Sequence, residues 1–410
     1  MSSSRGLEIG VVREEEFEEA LELQGRVFQP PTDYFRTLAL KDPFFEHENV
    51  FVAKQDGRIV SHVQVFPKLV RMAGAHVWMG GIGGVATDPD HRGKGLASSL
   101  LRLAATSMKH RGMEASILFT GIHDFYRRLG WETASGLDRY LVPTDRKPRG
   151  VNGCEPRRFT PDDLKQVMHI YDSQNSQRAL SVVRSKEVWR LQLKYPRFPW
   201  PSEDHEGFTV VEKDGEVVAY ARFGLASPWE GCVISEGGCL PGHEDALRAC
   251  LGRLIERAQE LGHSELSAVV PEDHPLASAL ARMGAERAHS DTSGMMLKVV
   301  DLRELLLRIE EGLSARTANK AIPRVKFELR TSDEAVSIAA AGGCVSIGQE
   351  EGLHDFYRVN DLGFAKIACG YTLPSELAKA GEAKCSGGAL KAMDMMFPRQ
   401  LPLMYPPDHF

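Results

Sequence analysis

Apolar residues along the first third of the chain switch between two periods, and the switches mark elements. Leu7 to Val12 alternates and reads as a strand. Glu14 to Leu23 follows with helical spacing, with Phe17, Ala20 and Leu21 on one side. Its acidic opening, Glu14-Glu15-Glu16, suits the positive end of a helix dipole and reads as a solvated face, not a metal site. Asn49–Lys54 and Arg58–Phe66 form a hairpin about Gln55-Asp56-Gly57. A third strand is expected after the Ala73-Gly74 turn, through Trp78 to Thr87. Ala97, Leu100, Leu101, Ala104 and Met108 then keep helical spacing, and Ala115–Thr120 reads as a buried strand. Between the first helix and the hairpin, Pro30-Pro31 breaks the chain. Around it lie Phe28, Tyr34 and Phe35, with core packing or the wall of a substrate cleft both open to them.

The pattern then repeats. Pro143–Pro156, rich in proline, glycine and charge, reads as a linker. Phe159–Tyr171 starts a second strand-and-helix unit, and Val210–Val218 echoes Val52–Val60 with Asp214 standing 158 residues after Asp56. Ala246–Gly262 echoes the earlier helix at an offset of 150, so eight residues are missing between the two landmarks. Arg282–Glu286 echoes Arg128–Glu132 at an offset of 154. From Asp301 the character changes to an amphipathic helix, Leu302–Ser314, followed by short strands at Val325–Arg330, Ala335–Ala341 and Cys344–Ile347. The expected domains are therefore 1–147, 148–300 and 301–410. One pentapeptide, His123-Asp124-Phe125-Tyr126-Arg127, recurs at His354–Arg358 without a glycine-rich turn before it.

Bulk properties narrow the partners. A net charge of −6 and a pI near 6.2 do not suggest nucleic acid and would tolerate or favour a polycationic small molecule. Seven cysteines without a CxxC pair or metal spacing read as buried thiols in a reducing compartment, with no metal site. No apolar run reaches membrane-spanning length and the first residues carry no apolar signal region, so a cytoplasmic location without a membrane partner is expected.

The chemistry concentrates in Val85–Ala97, where a strand runs through Val85, Ala86 and Thr87 into Arg92-Gly93-Lys94-Gly95-Leu96-Ala97-Ser98 and a helix. A glycine-rich turn at a helix N-terminus offers unpartnered N–H groups and a positive dipole to a phosphate or pyrophosphate. Gly93 and Gly95 let such a group approach the backbone. Upstream, Gly80-Gly81-Ile82-Gly83-Gly84 is no dinucleotide loop, because no helix opens after it; glycines inside a strand mark a bulge or a close backbone approach. In the second unit this turn is replaced by Gly238–Asp245, whose Glu244 and Asp245 would repel phosphates.

Arg92-x-x-Gly95-x-Ala97 after a Val85-x-x-x-Pro89 strand end resembles motif A of the GNAT N-acetyltransferases, and Phe125-Tyr126-x-x-x-Gly130-Trp131 resembles their motif B. The resemblance implies an α/β architecture of tandem GNAT folds with mixed central sheets, and acetyl-CoA as co-substrate. The pyrophosphate would lie on Arg92–Ser98, the pantetheine in a gap opened by a bulge near Gly80–Gly84, and Val85–Thr87, Gly121 and Ile122 would line the cofactor. It also implies that Tyr126, whose other reading is a core tyrosine, protonates the departing thiolate. The matching position in the second unit is Leu280, so that unit reads as degenerate scaffold and pocket wall. Two such units followed by a domain with Asp361-Leu362-Gly363, Gly370-Tyr371 and a Tyr405-Pro406-Pro407-Asp408-His409-Phe410 end resemble the enhanced-intracellular-survival (Eis) branch, with a sterol-carrier-like third domain. That branch implies a hexamer and the terminal carboxylate, here of Phe410, as the base. His123 and Asp124 replace glycines typical of the branch, leaving aminoglycoside-like polyamines, other small amines and lysine side chains open as acceptors, with Asp124 a candidate for holding a cation. The rival expectation is a lipid- or hydrophobe-binding protein acting through residues 301–410.

Overall fold

The computed structural model describes residues 6–29, 32–40, 42–145, 153–194, 207–224, 232–292, 294–318, 320, 322 and 324–410. Pro30-Pro31, residues 146–152 of the expected linker and the first five residues lie outside these. The chain divides into two compact units. The first runs up to Ala134 and includes Gly294–Gln400 and Phe410; the second comprises Ser135–Ser293 and Leu401–His409.

In the first unit, Leu7–Val11 (β1), helices Phe17–Phe28 (α1) and Thr32–Leu40 (α2), and strands Val50–Gln55 (β2), Arg58–Met72 (β3) and Ala75–Thr87 (β4) follow in order. Helix Leu96–His110 (α3), strand Ala115–Phe119 (β5), the short helix His123–Arg127 (α4) and Glu132–Thr133 (β6) complete this part. The two hairpins are set by two-residue turns, Asp56-Gly57 and Ala73-Gly74, with both residues of each in the left-handed region that such turns require. Helices α1 and α2 bury Phe17, Leu21, Phe35 and Ala39 against Val50, Val52, Ile59 and Ala86. On the other core, α3 buries Leu96, Leu100, Leu101, Ala104 and Met108 against Phe51, Val63, Val65 and Ile82. Tyr34 and Phe35 lie inside α2, not in an irregular connection.

In the second unit, Leu137–Pro143 (β7) precedes Pro156–Arg158 (β8), helices Leu164–Asn175 (α5) and Lys186–Lys194 (α6), and strands Phe208–Lys213 (β9), Glu216–Gly224 (β10) and Cys232–Cys239 (β11). Helix Glu244–Glu260 (α7), strand Glu265–Val269 (β12), helix Pro275–Arg282 (α8) and strand Glu286–Ser290 (β13) close it. The Asp214-Gly215 turn repeats the left-handed pair of the first hairpin.

The remaining elements return to the first unit: Met295–Val299 (β14), helix Leu302–Thr317 (α9), and a five-stranded sheet of Val325–Arg330 (β15), Ala335–Ala341 (β16), Cys344–Gly348 (β17), Asp355–Val359 (β18) and Ala383–Cys385 (β19). Gly312 of α9 lies so close to the Ala73 carbonyl that a Cβ there would collide with it.

The sheets do not respect the boundaries at 147 and 300. The first is ordered β1-β2-β3-β4-β5-β14-β6 and the second β13-β7-β12-β11-β10-β9-β8. Leu137–Pro143, expected in the first domain, lies between β12 and β13 of the second sheet, and Met295–Val299, expected in the second domain, lies between β5 and β6 of the first. Nothing local marks the exchange, since β7 alternates buried and half-exposed positions as any strand with one covered face does. A second correction concerns thiols: Cys239, Cys250 and Cys369 are buried, which pushes their pKa values up, but Cys344 is exposed.

Candidate active site

The site begins with a failure of two parallel strands to stay together. β4 and β5 pair only from Met79 with Ala115 to Ile82 with Leu118, while β4 continues to Thr87. At the parting point the β3–β4 ladder shifts register. His62 faces Ala86 and Gln64 faces Gly83, so Gly84 and Val85 together oppose Val63. This is a β-bulge of the kind the glycine run suggests, and Gly84 takes a φ of +60° in it.

The chain's last residue occupies the region of the split. The Phe410 ring stacks on Phe66 at 5.7 Å, meets Phe119 edge-on at 5.9 Å, and has the Lys68 ammonium 5.9 Å from its centroid. It also lies against Gly81, where any Cβ would run into the ring. A Cβ on Gly83 would sit 3.4 Å from the Phe410 carboxyl carbon. Among the described residues no cation pairs with that carboxylate; Lys68 instead faces Asp42 at 3.7 Å.

Beyond β4, Asp88 caps a single turn and Arg92 donates from Nε to the Thr87 carbonyl at 3.2 Å. Gly93 and Gly95 both have positive φ, +75° and +78°, and open space where a side chain would stand. Gly95 is the N-cap of α3, contributes no side-chain cap, and no acid occupies the first turn. The N–H groups at Leu96–Ser98 thus face outward with the dipole behind them. These residues fit a pyrophosphate: donors, a positive field and unobstructed backbone occur together.

Tyr126 is buried on α4, edge-on to Phe125 at 4.9 Å and to Trp131 at 6.4 Å. Burial pushes its pKa up to about 12, so its hydroxyl stays protonated at neutral pH. Gly121 has open space beside it and Ile122 is 65% exposed, between β5 and α4. Asp124, 91% exposed at its side chain, pairs with Arg127 at 2.8 Å, which Glu132 also holds. His123 lies 3.3 Å from the Thr133 hydroxyl. Of the aromatic trio, Phe35 is core, Tyr34 is half-buried and Phe28 is 45% exposed with its ring 5.8 Å from that of Phe35. Composition and spacing gave no signal for Gln24 and His62, which stand directly behind the bulge, or for Phe66 and Phe119, which hold the terminal ring.

Residues 8–134 match the acetyltransferase (GNAT) domain family. An uncharacterized N-acetyltransferase of Streptomyces griseus is 25% identical over 199 residues, which cover 43% of this chain and 45% of that relative, so the match spans less than half of its length. The fold is similar over 98% of the chain to all of a GCN5-related N-acetyltransferase from Anabaena variabilis (TM-score 0.76, 16% identity). It is similar over the same share to all of a probable N-acyltransferase from Enterococcus faecalis (0.77, 17%) and to all of Eis1 from Mycobacterium abscessus (0.68, 17%). The split strand pair, the uncapped helix and the glycine turn all lie within residues 8–134, the segment that matches the acetyltransferase (GNAT) domain.

Proposed function

We propose that the protein is an acetyl-CoA-dependent N-acetyltransferase acting on a primary amine of a small cationic acceptor or a lysine side chain. The observation that carries this reading is the unobstructed Gly93–Gly95 turn leading into an uncapped α3 beside a split strand pair. Arg92–Ser98 would hold the pyrophosphate, and Val85–Thr87 with Gly121 and Ile122 would line the rest of the donor. Acetyl-CoA, when bound, supplies the activated acyl group. Tyr126, kept protonated by burial, is read as the acid that delivers a proton to the leaving sulfur. The Phe410 carboxylate, without a cationic partner among the described residues, is read as the group that receives an ammonium and takes up its proton, directly or through a water. Phe28, Tyr34 and Asp124 are read as acceptor contacts.

We further read residues 301–410 as the sterol-carrier-like domain of an Eis-like chain; the full-length likeness to Eis1 supports this, and a multiple of three subunits is the corresponding assembly. A hydrophobe-binding role is not favoured, since Phe364, Met393, Met396 and Phe397 are already buried within that segment. The deciding experiment is a panel of amines assayed for CoA release as free thiol, alongside calorimetry with acetyl-CoA. Binding with amine-dependent thiol release is expected, and no acetyl-CoA binding would overturn the reading.

A further inference from the structure

His62 is an imidazole with no exposed surface in the middle of β3, among residues that are otherwise mostly apolar. Its Nδ1 lies 2.6 Å from the Gly84 carbonyl oxygen. A carbonyl can only accept, so Nδ1 carries the hydrogen, which leaves Nε2 bare. Nε2 in turn lies 3.3 Å from the Gln24 side-chain nitrogen, which donates to it. Burial lowers the His62 pKa to about 4, although the Gly84 bond opposes the shift, so the ring is neutral under working conditions. Gly84 fits this arrangement only without a side chain: a Cβ would stand 2.5 Å from Gln24 Oε1 and 3.0 Å from His62 Cε1.

The consequence follows from peptide geometry. Gln24 belongs to α1, whose neighbours pack with Ala86 on one face of the sheet, whereas Val85 packs with the α3 cluster on the other. In a planar trans peptide the C=O and the following N–H point in opposite directions. With the Gly84 carbonyl fixed toward His62, the Val85 N–H faces the α3 side, where the glycine turn lies. We propose that His62, held by Gln24, is a positioning residue that fixes the Gly84–Val85 peptide so that the Val85 N–H is aimed at the thioester oxygen. The proposal rests on the acetyltransferase reading above. The chain supplies its own contrast. Tyr220, 158 residues on, directs its hydroxyl to the Glu236 carboxylate at 2.9 Å and fixes no carbonyl.

The test uses the full-length chain and two isosteres. In His62→Asn the amide nitrogen takes the place of Nδ1 and still reaches Gly84; in His62→Gln it takes the place of Nε2 and does not. With acetyl-CoA and whichever amine the thiol assay identifies, His62→Asn should keep kcat within about threefold, while His62→Gln should lose about a hundredfold in kcat, the range for a missing oxyanion donor. KM for acetyl-CoA should change less than kcat in both. Acetyl-CoA affinity should fall in His62→Gln by about three- to tenfold more than affinity for CoA, which has no thioester oxygen. Melting temperatures control for general damage, which would weaken CoA and acetyl-CoA alike. Nitrogen-15 NMR of the wild-type ring, which needs no turnover, should find the proton on Nδ1. A proton on Nε2, or equal kcat in the Asn and Gln variants, would overturn the clamp while leaving the acetyltransferase reading intact. A wild type that binds no acetyl-CoA would remove that reading and the clamp with it.

Discussion

The two sheets are built to one plan and have diverged at the same places. In each, a parallel pair is joined for only a few residues before one strand runs on alone: β4 beyond Ile82, and β11 beyond Ile234. In the first sheet the released strand carries glycines whose missing side chains leave room for the Phe410 ring and its carboxylate. In the second, Gly237 and Gly238 are covered by Leu276, Ala221 and Gln174. There His274, whose Nδ1 accepts from the Leu276 N–H, donates from Nε2 to the Tyr405 hydroxyl at 2.8 Å, and Arg184, fully buried, pairs with Asp408 at 2.7 Å and with Glu236. Helix α3 opens uncapped with no acid, while α7 opens with Glu244 and Asp245. Tyr126 has its counterpart in the fully buried Leu280. The two sheets thus differ at the split: in the first it is met by glycines and the Phe410 ring, and in the second by polar side chains that pair with one another.

The sharpest way to break this contrast is Tyr126→Phe, which preserves the ring packing and removes the proton. We expect kcat to fall by ~10²–10⁴ with KM for acetyl-CoA little changed, measured by thiol release. A loss under threefold, with chemistry rate-limiting, would reduce Tyr126 to the status of Leu280. Adding one glycine after Phe410 keeps the ring and moves the terminal charge by ~3.5 Å. We expect a fall of about a hundredfold in kcat with acetyl-CoA affinity retained, and full activity in such a chain would end the base assignment.

On the other side of the comparison, Glu236→Gln should leave Arg184 and Arg222 short of a buried counter-charge. Burial opposes ionisation of Glu236, but the two guanidinium groups outweigh it and hold its pKa below the usual carboxylate value. Removing one partner of a buried pair costs about 3–5 kcal/mol, so chemical denaturation should report a loss of that order, with the acetyl-CoA affinity of the folded protein unchanged. Gly95→Val should weaken acetyl-CoA binding by about tenfold or more, at a stability cost of about 1–2 kcal/mol for a branched residue at positive φ. The same change at Gly242, also open and at positive φ, should carry only the stability cost.

The smallest expected effect is one of pH and should be shared. Burial holds His62 at about 4 and His274 at about 3, against an unfolded value near 6.5. The unfolded chain therefore binds protons that the folded one refuses. Stability is full above about pH 6.5 and declines as pH falls toward 4. Melting temperature across that window should drop, and each of His62→Asn and His274→Asn should flatten part of the slope. A flat wild-type profile would contradict neutral burial of both rings.

How far the sequence predicts this molecule depends on how local each feature is. Hairpins at Asp56-Gly57 and Asp214-Gly215 were legible because left-handed turns select those residues. The turn at Gly93–Gly95 was legible because helix starts and phosphate approach impose short-range demands. Strand exchange was not, because β7 and β14 satisfy the requirements of any half-buried strand and their partners are remote in sequence. His-Asp-Phe-Tyr-Arg makes the point most directly. At 123–127 it is a helix that buries Tyr126, and at 354–358 it enters a strand whose Tyr357 donates to the Pro374 carbonyl at 2.8 Å. Five residues hold too little local preference to resist their surroundings. The buried Gln24–His62 pair was equally silent, since a histidine within a strand has no period of its own.

The exchange of β7 and β14 also has a consequence in time. Strand β5 takes its hydrogen bonds on one side from Met295–Val299, which leave the ribosome long after Phe119. At synthesis rates of ~5–20 residues per second the delay is on the order of ten to thirty-five seconds. Throughout it, Ala115–Phe119 presents an apolar edge with no native partner, a feature that invites mispairing with other nascent chains. Translation of the second unit is thus a waiting period for the first, whose sheet closes only once the chain has passed residue 299. Ribosome-bound chains arrested before Met295 should be cut readily by protease around β5, and those arrested well beyond Val299 should resist.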